Sequence, residues 1–185
     1  MQSEVIPELG DKKSYAGIPE ADFVDDVDAF MKDNESSDVV LKKLDEQHSK
    51  YKCMEYNLVT KKKRLRSQIP DLKRSLVMIE KLQTQKEEFA TEYLLSEQVF
   101  LKAVIPPTEN VCLWLGANVM LEYSLADAKD LLSNNMKMAT KNLGCVEHDL
   151  DFLRDQLTTT EVNMARVYNW DVKRRQAAKL AAAAK

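Results

Sequence analysis

Glycine and proline are scarce in this sequence. It has four glycines and five prolines in 185 residues, neither type occurs between Glu20 and Ile69, and no proline follows Pro107. That scarcity excludes a collagen-like chain, a proline-rich linker and a turn-dense β-sandwich. Aromatic residues make up only 7%, little for the core of a globular domain of this length. No apolar run approaches the roughly 20 residues that a membrane-spanning helix needs. Met1–Lys13 lacks the charged-then-apolar order of a signal peptide. Cys53, Cys112 and Cys145 are too few, too scattered and odd in number for a disulfide framework, and read as reduced thiols. A soluble intracellular protein is expected, placed in the cytoplasm with the nucleus left open.

Charge is abundant, at 31% of residues. The net charge of -3 is unevenly placed. Met1–Asp38 carries 11 acidic and 3 basic residues, and the remainder carries 19 acidic and 24 basic. An acidic leader is thus joined to a mildly basic body, and nothing in that balance demands nucleic acid.

The first 18 residues have no periodicity and are expected to be disordered. Pro19 suits the first position of a helix, and Phe23, Val27, Phe30 and Met31 then fall on one helical face. A short acidic amphipathic helix is therefore predicted over 19–33. Asn34–Ser37 breaks the pattern and offers an N-cap.

From Asp38 the sequence counts in sevens. Leu44, Tyr51, Leu58, Leu65, Leu72 and Ile79 form one column. Leu41, His48, Glu55, Lys62, Ile69, Leu76 and Gln83 form the other, polar in its middle. A second run has Leu132, Ala139, Val146, Leu153, Thr160 and Val167 in one column, with Met136, Leu143, Leu150, Leu157 and Met164 in the other. A 3.5-residue period makes a left-handed supercoil. The spacing predicts helices over 38–90 and 125–175, with a kink near Pro70 and a capping box at Ser124 and Asp127. Between them, Thr91–Leu95, Gln98–Ile105, Val111–Leu115 and Asn118–Tyr123 read as strands separated by turn residues, most simply two hairpins. The fold class is α+β: a long antiparallel coiled coil of two helices joined by two β-hairpins. Two helices of similar length predict a register in which Ile79 lies near Met136–Ala139 and Tyr51 near Met164–Val167. Gln176–Lys185 is set aside as a tail that a cloning vector could have supplied.

Four strings are more specific than any heptad: VVLKKLDEQ (39–47), VCLWLGANVMLEY (111–123), DLDFLRDQ (149–156) and TTTEVNMARVYNWDVKRR (158–175). They resemble the α-type subunits of eukaryotic prefoldin, and the likeness covers roughly Gly17–Arg175. The resemblance implies a hetero-hexamer of two α-type and four β-type subunits. Their hairpins build a shared β platform, and their coiled-coil tips hold unfolded actin and tubulin. It further implies delivery to the cytosolic group II chaperonin without nucleotide, so neither enzyme activity nor a cofactor is expected.

On that footing Leu41, Leu44, Tyr51, Met54, Met164, Val167, Tyr168 and Trp170 are the candidate client-binding tip. The plainer reading is that Leu44, Tyr51, Met164 and Val167 only close the seam, whereas Tyr168 and Trp170 sit off both columns and should be exposed. Phe100, Val104, Leu113, Trp114, Leu115, Val119, Leu121 and Tyr123 are the candidate assembly surface, because so few strands cannot cover themselves. The acidic stretch Glu20–Asp28 fits either a basic partner surface, such as one on the chaperonin, or packing of Phe23, Val27 and Phe30 on the chain's own body. Lys61–Arg64 with Arg66 reads as a solvated helix face, since Leu58 and Leu65 carry the heptad through it; no nucleic-acid or membrane partner is expected. Cys145 and His148 do not complete a zinc site, and no phosphate loop or catalytic triad is present. The alternative function is a coiled-coil scaffold or tether without chaperone activity. It leaves the strands of 98–123 without a purpose.

Overall fold

The computed structural model describes residues 13–32 and 36–183. Helix α1 spans Val27–Lys32 and α2 spans Ser37–Thr84. Strands β1 (Phe89–Ser96), β2 (Val99–Ile105), β3 (Asn110–Gly116) and β4 (Val119–Ser124) follow, and α3 spans Leu125–Ala183. The chain divides into two units, one holding residues up to Arg64 and from Leu143 onward, the other Leu65–Asn142.

The helix bounds correct the expected ones. Helix α2 stops at Thr84 rather than near 90, because Phe89 and Ala90 already pair with Ile105 and Val104 as strand. It runs through Pro70 unbroken. Helix α3 continues past Arg175 to Ala183, as its run of Ala, Gln and Lys favours. Ser124 caps the helix: Asp127 N–H donates to Ser124 Oγ at 3.1 Å, and that hydroxyl donates to the Asp127 carboxylate at 2.7 Å, so the second bond of the pair joins the two side chains. It anchors the first turn of α3.

In the first unit, α2 and α3 run antiparallel. His48 meets Glu161 at 3.0 Å and Lys62 meets Glu147 at 3.0 Å, so two heptads on one helix match two on the other. The apolar columns lie in this seam. Tyr51, Leu153 and Val167 have at most 1% of their surface exposed, and Val146 2%. Each such side chain contributes about 1.5–3 kcal/mol by leaving water. Thr160 occupies the same column at 0% exposure. Its hydroxyl donates to the Gln156 carbonyl at 2.8 Å, so no polar group is stranded there.

In the second unit, Ile79, Ala128 and Leu132 form the core, joined by Leu72, Leu76 and Leu125 from the helices and by Val111, Leu113 and Tyr123 from β3 and β4. Ile79 therefore packs beside Ala128 and Leu132, not Met136–Ala139. The register follows from where the helices end: Glu80 and Lys129, paired at 3.1 Å, each lie four residues in from Thr84 and Leu125. Both sheets are two-stranded antiparallel hairpins, β1 with β2 and β3 with β4. The β3–β4 turn has positive φ at Ala117 (48°) and Asn118 (62°), the pattern of a type I′ turn, after Gly116 at 94°. The twist of such a turn matches that of the strands; Gly116 pairs with Val119, and an irregularity at Leu115 then sets Trp114 opposite Met120.

Candidate functional site

The hairpins of the second unit carry their apolar residues outward. Phe100 and Val104 on β2, Trp114 and Leu115 on β3, and Val119 and Leu121 on β4 are all exposed, Trp114 at 61%. Leu113 and Tyr123 differ: they are half-buried against the Ile79–Leu132 core and tie the second hairpin to its own helices. Alternation along β3 sends Leu113 and Trp114 to opposite faces, while Leu121, paired with Leu113 and on its face, remains 48% exposed. The first hairpin is barer still. Only Phe89, Thr91, Ala103 and Ile105 on it are even half-buried, with the Lys81 ammonium 4.7 Å from the Phe89 ring. A two-stranded sheet with an open apolar face is marginal in water by itself.

The tip candidates behave differently. Among the eight, Tyr168 is clearly exposed, at 59%. Met54 and Met164 are half-buried, and Leu41 and Leu44 pack with Trp170 against a cluster of Met31, Val40 and Val167. Tyr51 is buried, and its hydroxyl donates to the Pro19 carbonyl at 2.9 Å. Trp170, expected to be open, is half-covered by α1: its indole N–H donates to the Asp28 carboxylate, and the Arg174 guanidinium lies 5.1 Å from its ring.

The cause is the N-terminal segment, where the structure corrects two expectations. Residues 1–12 lie outside the described residues. Residues 13–18 are not free. Ser14 Oγ and Tyr15 N–H both donate to Asp149 Oδ1, at 3.0 and 2.6 Å, and Ile18 is buried. The expected helix over 19–33 shrinks to Val27–Lys32, and its last residue, Asp33, lies outside the described residues. Residues 19–24 stay non-helical because α3 takes their backbone groups. Ala21 N–H donates to Gln156 Oε1 at 2.8 Å and Val24 N–H to Asn163 Oδ1 at 3.0 Å. Asn163 Nδ2 donates to the Asp22 carbonyl at 2.7 Å, and Arg166 to that of Asp25 at 2.6 Å. Phe23 remains half exposed under the Arg166 guanidinium, 5.2 Å from its ring.

Asp149, Gln156, Asn163 and Trp170 are spaced by seven, one position before the column of Leu150, Leu157 and Met164. The first three are buried polar residues, at 3%, 8% and 2% exposure. Sequence reasoning passed over this column because polar residues beside an apolar seam read as a solvated face. The available signal was polar side chains recurring at the heptad period next to a segment with no period of its own. Near α3's C-terminal end, Ser37 Oγ donates to Asp171 Oδ1 at 2.8 Å, and Arg175 Nε meets the other carboxylate oxygen at 2.6 Å. The Cys145 and His148 pair forms no ligand set: His148 lies edge-on to Tyr15 at 5.3 Å. Among the described residues no cluster of three metal-ligating side chains occurs, and no helix is long and apolar enough to cross a membrane.

Residues 51–170 match the Prefoldin family, described as Prefoldin subunit. The chain belongs to the prefoldin family. It is 59% identical over 169 residues to prefoldin subunit 3 of Mus musculus, covering 89% of this chain and 86% of that protein. It is 56% identical over 181 residues to the Drosophila melanogaster protein of the same name, covering 96% and 93%. Against that of Saccharomyces cerevisiae the identity is 36%, with 89% of each chain covered. The filamentous prefoldin of Methanocaldococcus jannaschii, solved by cryo-electron microscopy, shares the fold. The TM-score is 0.51 at 16% identity, over 62% of this chain and 95% of that one. The hairpins and paired helices are thus those of a prefoldin subunit, a chaperone-type protein that works within a multi-subunit prefoldin complex.

Proposed function

We propose that this chain is the α-type subunit of a hetero-hexameric prefoldin, with a second α-type and four β-type partners. In this reading the complex holds unfolded actin and tubulin in the cytoplasm without ATP and passes them to the cytosolic group II chaperonin. The observation that carries the reading is the exposed apolar face of the hairpins, with Phe100, Val104 and Trp114 each more than 60% exposed. Such rows require sheet from other subunits, and their burial would give the assembly its hydrophobic core. Holding then needs no catalytic group. Several weak apolar contacts on one unfolded chain act together, because each later contact is intramolecular.

Native mass spectrometry of this chain mixed with β-type subunits and a second α-type subunit tests the assembly. A discrete hexamer with one copy of this chain is expected, and a homo-oligomer that ignores those subunits would overturn it. The same hexamer should suppress aggregation of denatured actin equally with and without ATP. Replacing Tyr168 with serine should weaken that suppression and leave the hexamer intact. Failure of the purified hexamer to suppress aggregation would favour a tether.

A further inference from the structure

The contacts between the N-terminal segment and α3 have an unusual chemistry. Asp149, Gln156, Asn163, Arg166 and Tyr51 bond main-chain groups, those of Tyr15, Pro19, Ala21, Asp22, Val24 and Asp25. Main-chain groups are the same in every polypeptide, so Gln156, Asn163, Arg166 and Tyr51 read the backbone of Pro19–Asp25 and not its sequence, whereas Asp149 also takes the Ser14 hydroxyl. Asn163 does so with both halves of its amide, accepting from Val24 N–H and donating to Asp22 C=O. The spacing suits the task. One heptad of α-helix rises about 10.5 Å, and three residues of extended chain rise about 10 Å. Gln156 and Asn163 accordingly hold Ala21 and Val24, seven residues apart on one chain and three on the other.

Resting on the holding function proposed above, we infer that Gln156 and Asn163 on α3, with Tyr51 and Arg166, form a binding track for extended polypeptide backbone. Residues 19–25 fill it in cis, and an extended segment of an unfolded client takes their place. The segment holds its position without helix or strand of its own over residues 17–24. The bonded main-chain groups of residues 19–25 and the side chains that hold them rehydrate when this stretch lifts, so exchange leaves no polar group buried and unpaired. The competition lowers the apparent client affinity by the fraction of time the track is open. The acidic leader is then a guard that only a strongly bound, extended client displaces.

The test uses the assembled hexamer, with this chain either complete or lacking residues 1–26, which leaves α1 in place. The probe is a reduced, carboxymethylated protein that cannot refold. Truncation is expected to tighten probe binding about tenfold, and a synthetic peptide of residues 13–26 should reverse the gain. Combining the truncation with Gln156→Ala and Asn163→Ala should abolish the gain. Equal binding by complete and truncated complexes, or a gain that the peptide does not reverse, would overturn the inference while leaving the holding function standing. Absence of probe binding in both complexes would sink the holding function and the inference with it. A second measurement needs no truncation. Amide exchange at Ala21 and Val24 in the complete complex should accelerate when the probe binds, and unchanged exchange at saturating probe would also overturn the inference.

Discussion

Leu153 and Trp114 are both large apolar side chains, and the chain treats them in opposite ways. Leu153, in the first unit, has 0% of its surface exposed; Trp114, in the second, has 61%. The first unit covers its seam with its own sequence, recruiting residues 14–32 for what two helices cannot reach. The second unit gathers Leu113 and Tyr123 onto its helices and leaves the other faces of its hairpins bare. Two helices and a strap can close a core by themselves, whereas a hairpin presents two faces and can pack only one of them on its own helices. Self-sufficiency at one place and dependence at the other thus follow from the kind of secondary structure at each.

Substitutions can break that contrast. The largest effect is expected from Leu153→Ala, which should cost about 2–5 kcal/mol of unfolding free energy, read as a lower urea midpoint. Asn163→Ala removes a donor and an acceptor together and should cost about 1–3 kcal/mol. Hydrogen exchange should quicken at Val24 and stay unchanged at the β3–β4 ladder. Ser37→Ala deletes the buried bond to Asp171 and should cost about 1 kcal/mol, with exchange quickening at Val40 in the first turn of α2. Trp114→Ser should change the unfolding free energy of the isolated chain by less than about 0.5 kcal/mol, yet reduce incorporation into the prefoldin complex. If Trp114→Ser instead destabilised the isolated chain as much as Leu153→Ala does, the contrast between the two units would be wrong.

Much of this was legible in the sequence. Columns spaced by seven mark the buried faces because a helix brings them to one side every two turns, and Tyr51, Leu58, Leu65, Val146, Leu153 and Val167 are all buried. The hairpins were legible from β-branched runs punctuated by turn residues, though the last turn sits at Ala117–Asn118, one residue later than the strand bounds Val111–Leu115 and Asn118–Tyr123 imply. The register was not, because it depends on where α2 stops, and Phe89–Ala90 continues an apolar pattern that helix and strand share. The strap was invisible for a different reason. Most of its bonds are made by main-chain groups, which leave no mark on residue choice in the segment; the Ser14 hydroxyl is an exception. Only their partners on α3, Asp149, Gln156 and Asn163, show, and each alone resembles a residue facing water. Trp170 was expected to be open for the same reason: its cover comes from Asp28 and α1, more than 130 residues away in sequence.

The two-stranded sheets have a consequence for supply. Among the described residues each hairpin leaves both of its outer strand edges unpaired, and an open edge is a template for any other strand. A copy synthesised beyond the number of its partners keeps those edges free and is exposed to aggregation or proteolysis. The amount of this subunit that persists is therefore set by its scarcest partner, and overproducing it alone should raise its turnover without raising its working concentration.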